Sequence, residues 1–328
     1  MKRSIALLLA LCLLTAGCGA KKAAEAGEAA SAEETAADAS EPDVNSGFTA
    51  APATVTADDA PVRDLAAEEA EAAEEDLSSL TIDPPYDFDI DSMTAADFCE
   101  ALSEEYPGSR STYELLPGDA YSLEVTVISG EEEGPVIYVV AGVHGDEEAA
   151  WQAGKLLKGI SLKAGTMYII APANRWGAEK VPMSRYLDSK DLNRAFPGNP
   201  NGTNAQRVAY AIYHDIEAKQ PDFVLDLHEA SIVSESRDYL GSSLIFTDVS
   251  LFSDLFYDLL WATEDGTICS RPFNYYAPGP EGSVNNTVTT GLGIPTLTVE
   301  TFRGYQMEDR VSDQLDIVQY VLKYYEMI

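Results

Sequence analysis

The run Val136-Ile-Tyr-Val-Val-Ala141 constrains this chain more than any other feature. Six consecutive apolar residues rich in β-branched types fit a strand buried on both faces, since a half-exposed strand would alternate apolar with polar. Glu147 to Ile160 follows, with Ala149, Ala150, Ala153, Leu156, Leu157 and Ile160 at helical spacing. The pattern then repeats. Strands are expected at Met167–Pro172, Phe223–Leu227 and Ile294–Thr301, and helices at Ala205–Ala218, Leu251–Ala262 and Val311–Tyr325. Such alternation predicts a single α/β domain over residues 92–328, with a mostly parallel or mixed central sheet and helices on both faces. Sites in such sheets form in the loops beyond the strands' carboxyl ends.

The segment before that domain reads differently. Between Gly19 and Asp91 there are 20 acidic residues against Lys21, Lys22 and Arg63, with few aromatics, so residues 18–91 are expected to be a disordered acidic tether. The whole chain carries 55 acidic and 21 basic residues, a formal charge of −34, which excludes nucleic acid as a partner. At the very start, Lys2 and Arg3 precede an apolar stretch from Ile5 to Leu14 and then Thr15-Ala16-Gly17-Cys18. A basic flank, a short apolar run and small residues before a cleavage point describe a secretory signal over residues 1–17, too short to span a membrane. The Ala-Gly-Cys ending resembles the lipobox of bacterial lipoproteins, although Thr15 stands where that pattern favours Leu. The resemblance implies lipidation of Cys18, attachment through a lipid anchor only, and a position on the outer side of a bacterial cell membrane. Cys12 leaves with the signal; Cys99 and Cys269 remain, with no spacing that implies a framework.

The chemistry-bearing residues cluster where the sheet rule places them. After the first buried strand comes Gly142-Val143-His144-Gly145-Asp146-Glu147, in which an imidazole and a carboxylate three residues apart on a turn can reach one ion. His228 follows the strand Phe223–Leu227. His144, Glu147 and His228 would form a His₂Glu set with one position open, the pattern of a catalytic zinc site. His214 lies mid-helix beside acids and reads as a surface residue. Asp226, two residues before His228, faces the same side and either orients it or is a buried structural Asp. The polar stretch from Ser184 to Gly198 concentrates Arg185, Asn193 and Arg194, and arginine offers a fork for a carboxylate or an oxyanion. Glu300 sits near the end of an otherwise buried strand, where a carboxylate needs a partner or a function.

Taken in order, His144-x-x-Glu147, the Arg185 to Arg194 stretch ending Asp-Leu-Asn-Arg, Asp226-Leu-His228 and Thr298-Val-Glu300 resemble the zinc metallocarboxypeptidase superfamily, specifically its succinylglutamate desuccinylase/aspartoacylase branch. The resemblance implies a zinc carboxypeptidase-like fold with one zinc ion on His144, Glu147 and His228. It also implies that Asn193 and Arg194 grip a free carboxylate, that Arg185 polarises the scissile carbonyl, and that Glu300 serves as general base and then acid. The chain departs from the branch by one extra residue between Arg185 and Asp191, which makes Arg175 a rival to Arg185. It also has only 28 residues after Glu300, which would leave a more open pocket than the aspartoacylase type. Tyr275 and Tyr276 are candidates to cap a substrate, or simply to pack. Export favours a carboxypeptidase acting on short cell-wall peptides. An N-acyl-amino-acid deacylase is the rival in the same class, and a two-lobed solute-binding lipoprotein the rival of another class.

Overall fold

The computed structural model describes residues 81–231 and 241–328. They fall within one compact unit, Asn45–Ile328. The signal segment 1–17, Cys18 and most of the tether lie outside the described residues.

Eight strands form one sheet: β1 (Gly108–Leu115), β2 (Leu123–Gly130), β3 (Glu132–Ala141), β4 (Ala164–Ile170), β5 (Phe223–Ala230), β6 (Ser243–Ile245), β7 (Asn274–Tyr276) and β8 (Thr296–Phe302). Their order is β1-β2-β4-β3-β5-β8-β6-β7. The centre, β4-β3-β5-β8, is parallel, while β1, β2 and β6 run antiparallel to their inner neighbours, so the sheet is mixed. Among the described residues there is one sheet, not the two lobes of a solute-binding protein.

Side chains alternate across the strands into two cores. Ile137, Val139 and Ala141 of β3 and Phe223, Leu225 and Leu227 of β5 pack under α2 (Glu148–Leu157), α5 (Ser253–Glu264) and α7 (Met307–Tyr324). Tyr138, Val140 and Val224 point the other way, toward α4 (Asn204–Lys219) and α6 (Val284–Leu292). Two four-residue helices, α1 (Ala95–Phe98) and α3 (Arg175–Ala178), complete the set. No helix among the described residues is long and apolar enough to cross a membrane.

The structure corrects several boundaries. β5 continues through His228 to Ala230, because its polar residues are buried with partners and keep the ladder to β8 intact. α7 begins at Met307, where Glu308 and Asp309 fill a first turn that favours negative charge. The ordered fold also reaches back beyond Ser92 into the expected tether. Ile90 is buried, and the Asp83 backbone amide donates to the Arg303 carbonyl oxygen at 2.8 Å.

Candidate metal centre

The site lies at the carboxyl ends of β3, β5 and β8, three of the four central parallel strands. β3 ends at Ala141, and Gly142 turns the chain with φ +70°, a conformation that suits glycine. A Cβ there would also lie 2.6 Å from the Trp151 Cβ, so glycine lets α2 pack tightly against the turn. Trp151 returns the contact by donating its indole N–H to the Gly145 carbonyl at 3.2 Å. The turn presents His144 inward and delivers Glu147 at the start of α2.

Register supplies the other half. His228 of β5 pairs with Glu300 of β8, and Asp226 pairs with Thr298, so these four side chains project from one face. His144, Glu147 and His228 are all buried, and one ligand-capable atom from each lies within 4.8 Å of the others. The Nδ1 atoms of both imidazoles converge on the Glu147 carboxylate, His144 at 2.7 Å from Oε1 and His228 at 2.8 Å from Oε2. The opposite ring nitrogens are held as well: His144 Nε2 is 3.0 Å from Asp191 Oδ1, and His228 Nε2 is 3.0 Å from Asp226 Oδ1. Thr298 donates its hydroxyl to the second Asp226 oxygen at 3.0 Å.

That arrangement suits a divalent ion. Carboxylates on both Nε2 atoms fix the rings with Nδ1 turned inward, the outer-shell pattern of ligating histidines. Two imidazoles and one carboxylate are a donor set for zinc and leave further coordination positions open. The charges agree. Burial raises the Glu147 carboxyl, but His144 and His228 outweigh it and hold the group well below the usual range. Burial lowers the His228 imidazole, and Asp226 and Glu147 more than reverse this.

Glu300 is the exception in this balanced set. It is buried, and its Oε2 has no hydrogen-bond partner among the described residues. Burial pushes its carboxyl up to about 8, with His228 opposing and Glu147 adding to the rise. A carboxyl this poorly satisfied beside a cation site is a candidate for proton transfer.

The two arginines separate clearly. Arg185 donates from Nη1 to Glu147 Oε1 at 2.8 Å, and its backbone carbonyl accepts from Asn174 Nδ2 at 3.1 Å. Arg175 is half exposed and pairs with Glu179 on its own turn at 3.7 Å. Asn193 is buried, with Nδ2 3.4 Å from His228 Nε2 and Oδ1 accepting from the Val284 amide at 3.0 Å. Arg194 is exposed and donates to the Asn193 carbonyl at 2.8 Å. His214 sits on the outer surface of α4 with Glu217. Tyr275 packs on Phe246 and Phe256.

Sequence reasoning missed Asp191 and Asn174. Asp191 orients His144 and also accepts the Asn193 amide at 2.8 Å; the two positive neighbours Arg185 and Arg194 were the signal for a carboxylate of consequence between them. Burial raises its carboxyl, but the hydrogen bond from His144 and the nearby charges bring it down to about 2.

Comparison with known proteins falls on the same residues. Residues 133–241 match the succinylglutamate desuccinylase/aspartoacylase catalytic domain, a stretch that holds His144, Glu147, Arg185, Asn193, Arg194 and His228 but not Glu300. N-alpha-acetyl-L-2,4-diaminobutyric acid deacetylase from Halomonas elongata is 33% identical over 130 residues, which are 38% of this chain and 37% of that protein. The chain therefore matches little more than a third of that relative's length. A solved succinylglutamate desuccinylase from a Silicibacter species superposes with a TM-score of 0.51 over 69% of each chain at 19% identity. A metallo-carboxypeptidase from Burkholderia cenocepacia gives a TM-score of 0.51 over 70% of this chain and 67% of its own, at 16% identity. At those identities the likeness is one of fold, and that fold is zinc carboxypeptidase-like.

Proposed function

We propose that this chain is a zinc-dependent hydrolase that cleaves an amide bond next to a free carboxylate. The observation that carries the reading is the meeting of both Nδ1 atoms at the Glu147 carboxylate, with Glu300 on the adjacent strand, its Oε2 without a hydrogen-bond partner among the described residues. His144, Glu147 and His228 would hold the ion. When bound, zinc supplies Lewis acidity toward a carbonyl and makes water acidic enough to attack at neutral pH.

The remaining roles belong to the chain itself. Glu300 takes the proton of the attacking water and passes it to the leaving nitrogen. A dication at the triad would draw its carboxyl down from about 8 toward the range of a base at neutral pH. Arg185, fixed through its backbone by Asn174, lies where it can offset negative charge on the carbonyl oxygen. Asn193 and Arg194 receive the free carboxylate from the loop side, where Arg194 is exposed.

An N-acyl amino acid is the substrate class we favour, because the relative of highest identity reported above is named as a deacetylase of such a compound. One observation favours a second reading. The Lys2 to Cys18 segment has the form of an exported, lipid-anchored protein on the outer face of a bacterial membrane, where short wall peptides with free carboxylates are abundant. A carboxypeptidase trimming those peptides would use the same groups.

Mass spectrometry of N-acetyl amino acids and of defined wall peptides, incubated with the zinc-loaded chain, tests both readings. The expected result is metal-dependent cleavage that Glu300→Gln lowers by about 10²–10⁴-fold while zinc content stays unchanged. Cleavage that survives chelation, or a zinc-loaded chain that cuts neither class, overturns the assignment.

A further inference from the structure

Segment 83–86 precedes the expected domain boundary, yet it reaches both neighbours of the ligand Glu147. Asp83 accepts from Arg303 Nε at 3.0 Å through one oxygen and from Nη2 at 2.5 Å through the other, and Arg303 Nη1 donates to Asp146 Oδ2 at 2.8 Å. Tyr86 donates its hydroxyl to Glu148 Oε1 at 2.8 Å. Asp83 also meets Arg310 Nη1 at 3.3 Å, and the same nitrogen donates to Glu229 Oε1 at 2.6 Å. The second Glu229 oxygen accepts the Ala149 amide at 2.8 Å, two residues past Glu147. Asp146 and Ala149 are therefore tied to one charged network in which Asp83 joins the two arginines, and Glu148 is tied separately to the same segment through Tyr86.

We infer that residues 83–86 form a positioning strap that sets the aim of the Glu147 carboxylate by fixing Asp146 through Arg303 and Glu148 through Tyr86. The inference rests on the reading of His144, Glu147 and His228 as a metal site. Asp146, Glu147 and Glu148 are three consecutive acids whose mutual repulsion would open the turn unless their neighbours were held. The strap supplies that restraint from outside the loop. Asp83 and Tyr86 touch no ligand atom, so they are positioning residues, and their effect should appear as metal affinity. Replacing groups that orient ligands typically costs about 10–100-fold in affinity.

The test uses the full chain and its zinc dissociation constant, read by competition with a chromophoric chelator. Thermal unfolding of the metal-free proteins runs in parallel. The double variant Asp83→Asn/Tyr86→Phe should bind zinc about tenfold or more weakly, and Asp83→Glu should recover affinity that Asp83→Asn loses. Asp91→Asn is the control. It removes the charge from the 2.7 Å ion pair that Asp91, five residues past the strap, makes with Lys155 away from the turn, and should leave zinc affinity unchanged. Equal affinity for the wild type and the double variant overturns the strap, whatever happens to thermal stability. An equal loss in Asp91→Asn overturns it too, because general loosening would then explain the effect. A wild-type chain that takes up no zinc overturns the metal reading instead, and so separates the two failures.

Discussion

At the residue scale, the site depends on groups that never touch the ion. Asp226 holds His228 Nε2 and is itself held by Thr298, so Asp226→Asn keeps the shape and weakens the orienting charge. Zinc affinity should fall by about 10–100-fold, measured by chelator competition, with the fold intact by circular dichroism. The sequence already displayed the three ligand candidates and Glu300, since each stands at or just beyond the carboxyl end of a buried apolar strand, where polar groups need a partner or a function. It left open the choice between Arg175 and Arg185. Both lie between core elements in sequence, and it takes the fold to show that the Asn174 side chain and the Gly145 amide hold the Arg185 backbone where its guanidinium meets Glu147.

At the element scale, α6 decides how Asn193 and Arg194 are presented. The Val284 amide at its first turn holds Asn193, and the Phe196 amide donates to the Gly282 carbonyl at 3.0 Å. Gly282 has φ +77°, and a Cβ there would lie 2.8 Å from the Arg194 carbonyl oxygen. Gly282→Ala should therefore cost about 1–2 kcal/mol by thermal unfolding and, on the proposed reading, raise KM more than it lowers kcat, because the turn that presents Asn193 and Arg194 must shift. α6 escaped sequence reading because Asn and Thr dominate it, and these residues favour caps and turns over helix interiors. Ser283 at its start and Gly293 at its end were the available signals. The β1–β2 hairpin escaped for another reason. β1 is an edge strand facing water along most of its length, so it carries no apolar alternation. The central parallel strands were legible because burial on both faces leaves long apolar runs.

At the scale of the whole molecule, charge dominates. A formal −34 makes the folded chain repel itself, so raising ionic strength from about 0.01 to 0.15 M, which shortens the screening length from about 30 to 8 Å, should raise Tm. One buried acid adds a pH dependence. Burial pushes the Asp313 carboxyl up to about 6 against an ordinary 3.8, with the hydrogen bonds from Ser270 opposing. Between those values the folded chain binds a proton that the unfolded chain has released, so this group's contribution falls as pH rises from about 4 to 6. Relative to wild type, Asp313→Asn should gain stability across that window, by ~3 kcal/mol at most, measured by denaturant unfolding at each pH.

The strand that carries His228 has a consequence for how far local motion can reach the candidate site. β5 is hydrogen-bonded along both edges, by β3 and by β8, and every one of its residues is buried. Its amides should be among the slowest to exchange with deuterium, since only sub-global or global opening frees them. Fraying of loops and termini leaves such a strand paired, so the register of His228 with Glu300 and of Asp226 with Thr298 outlasts every motion short of that opening.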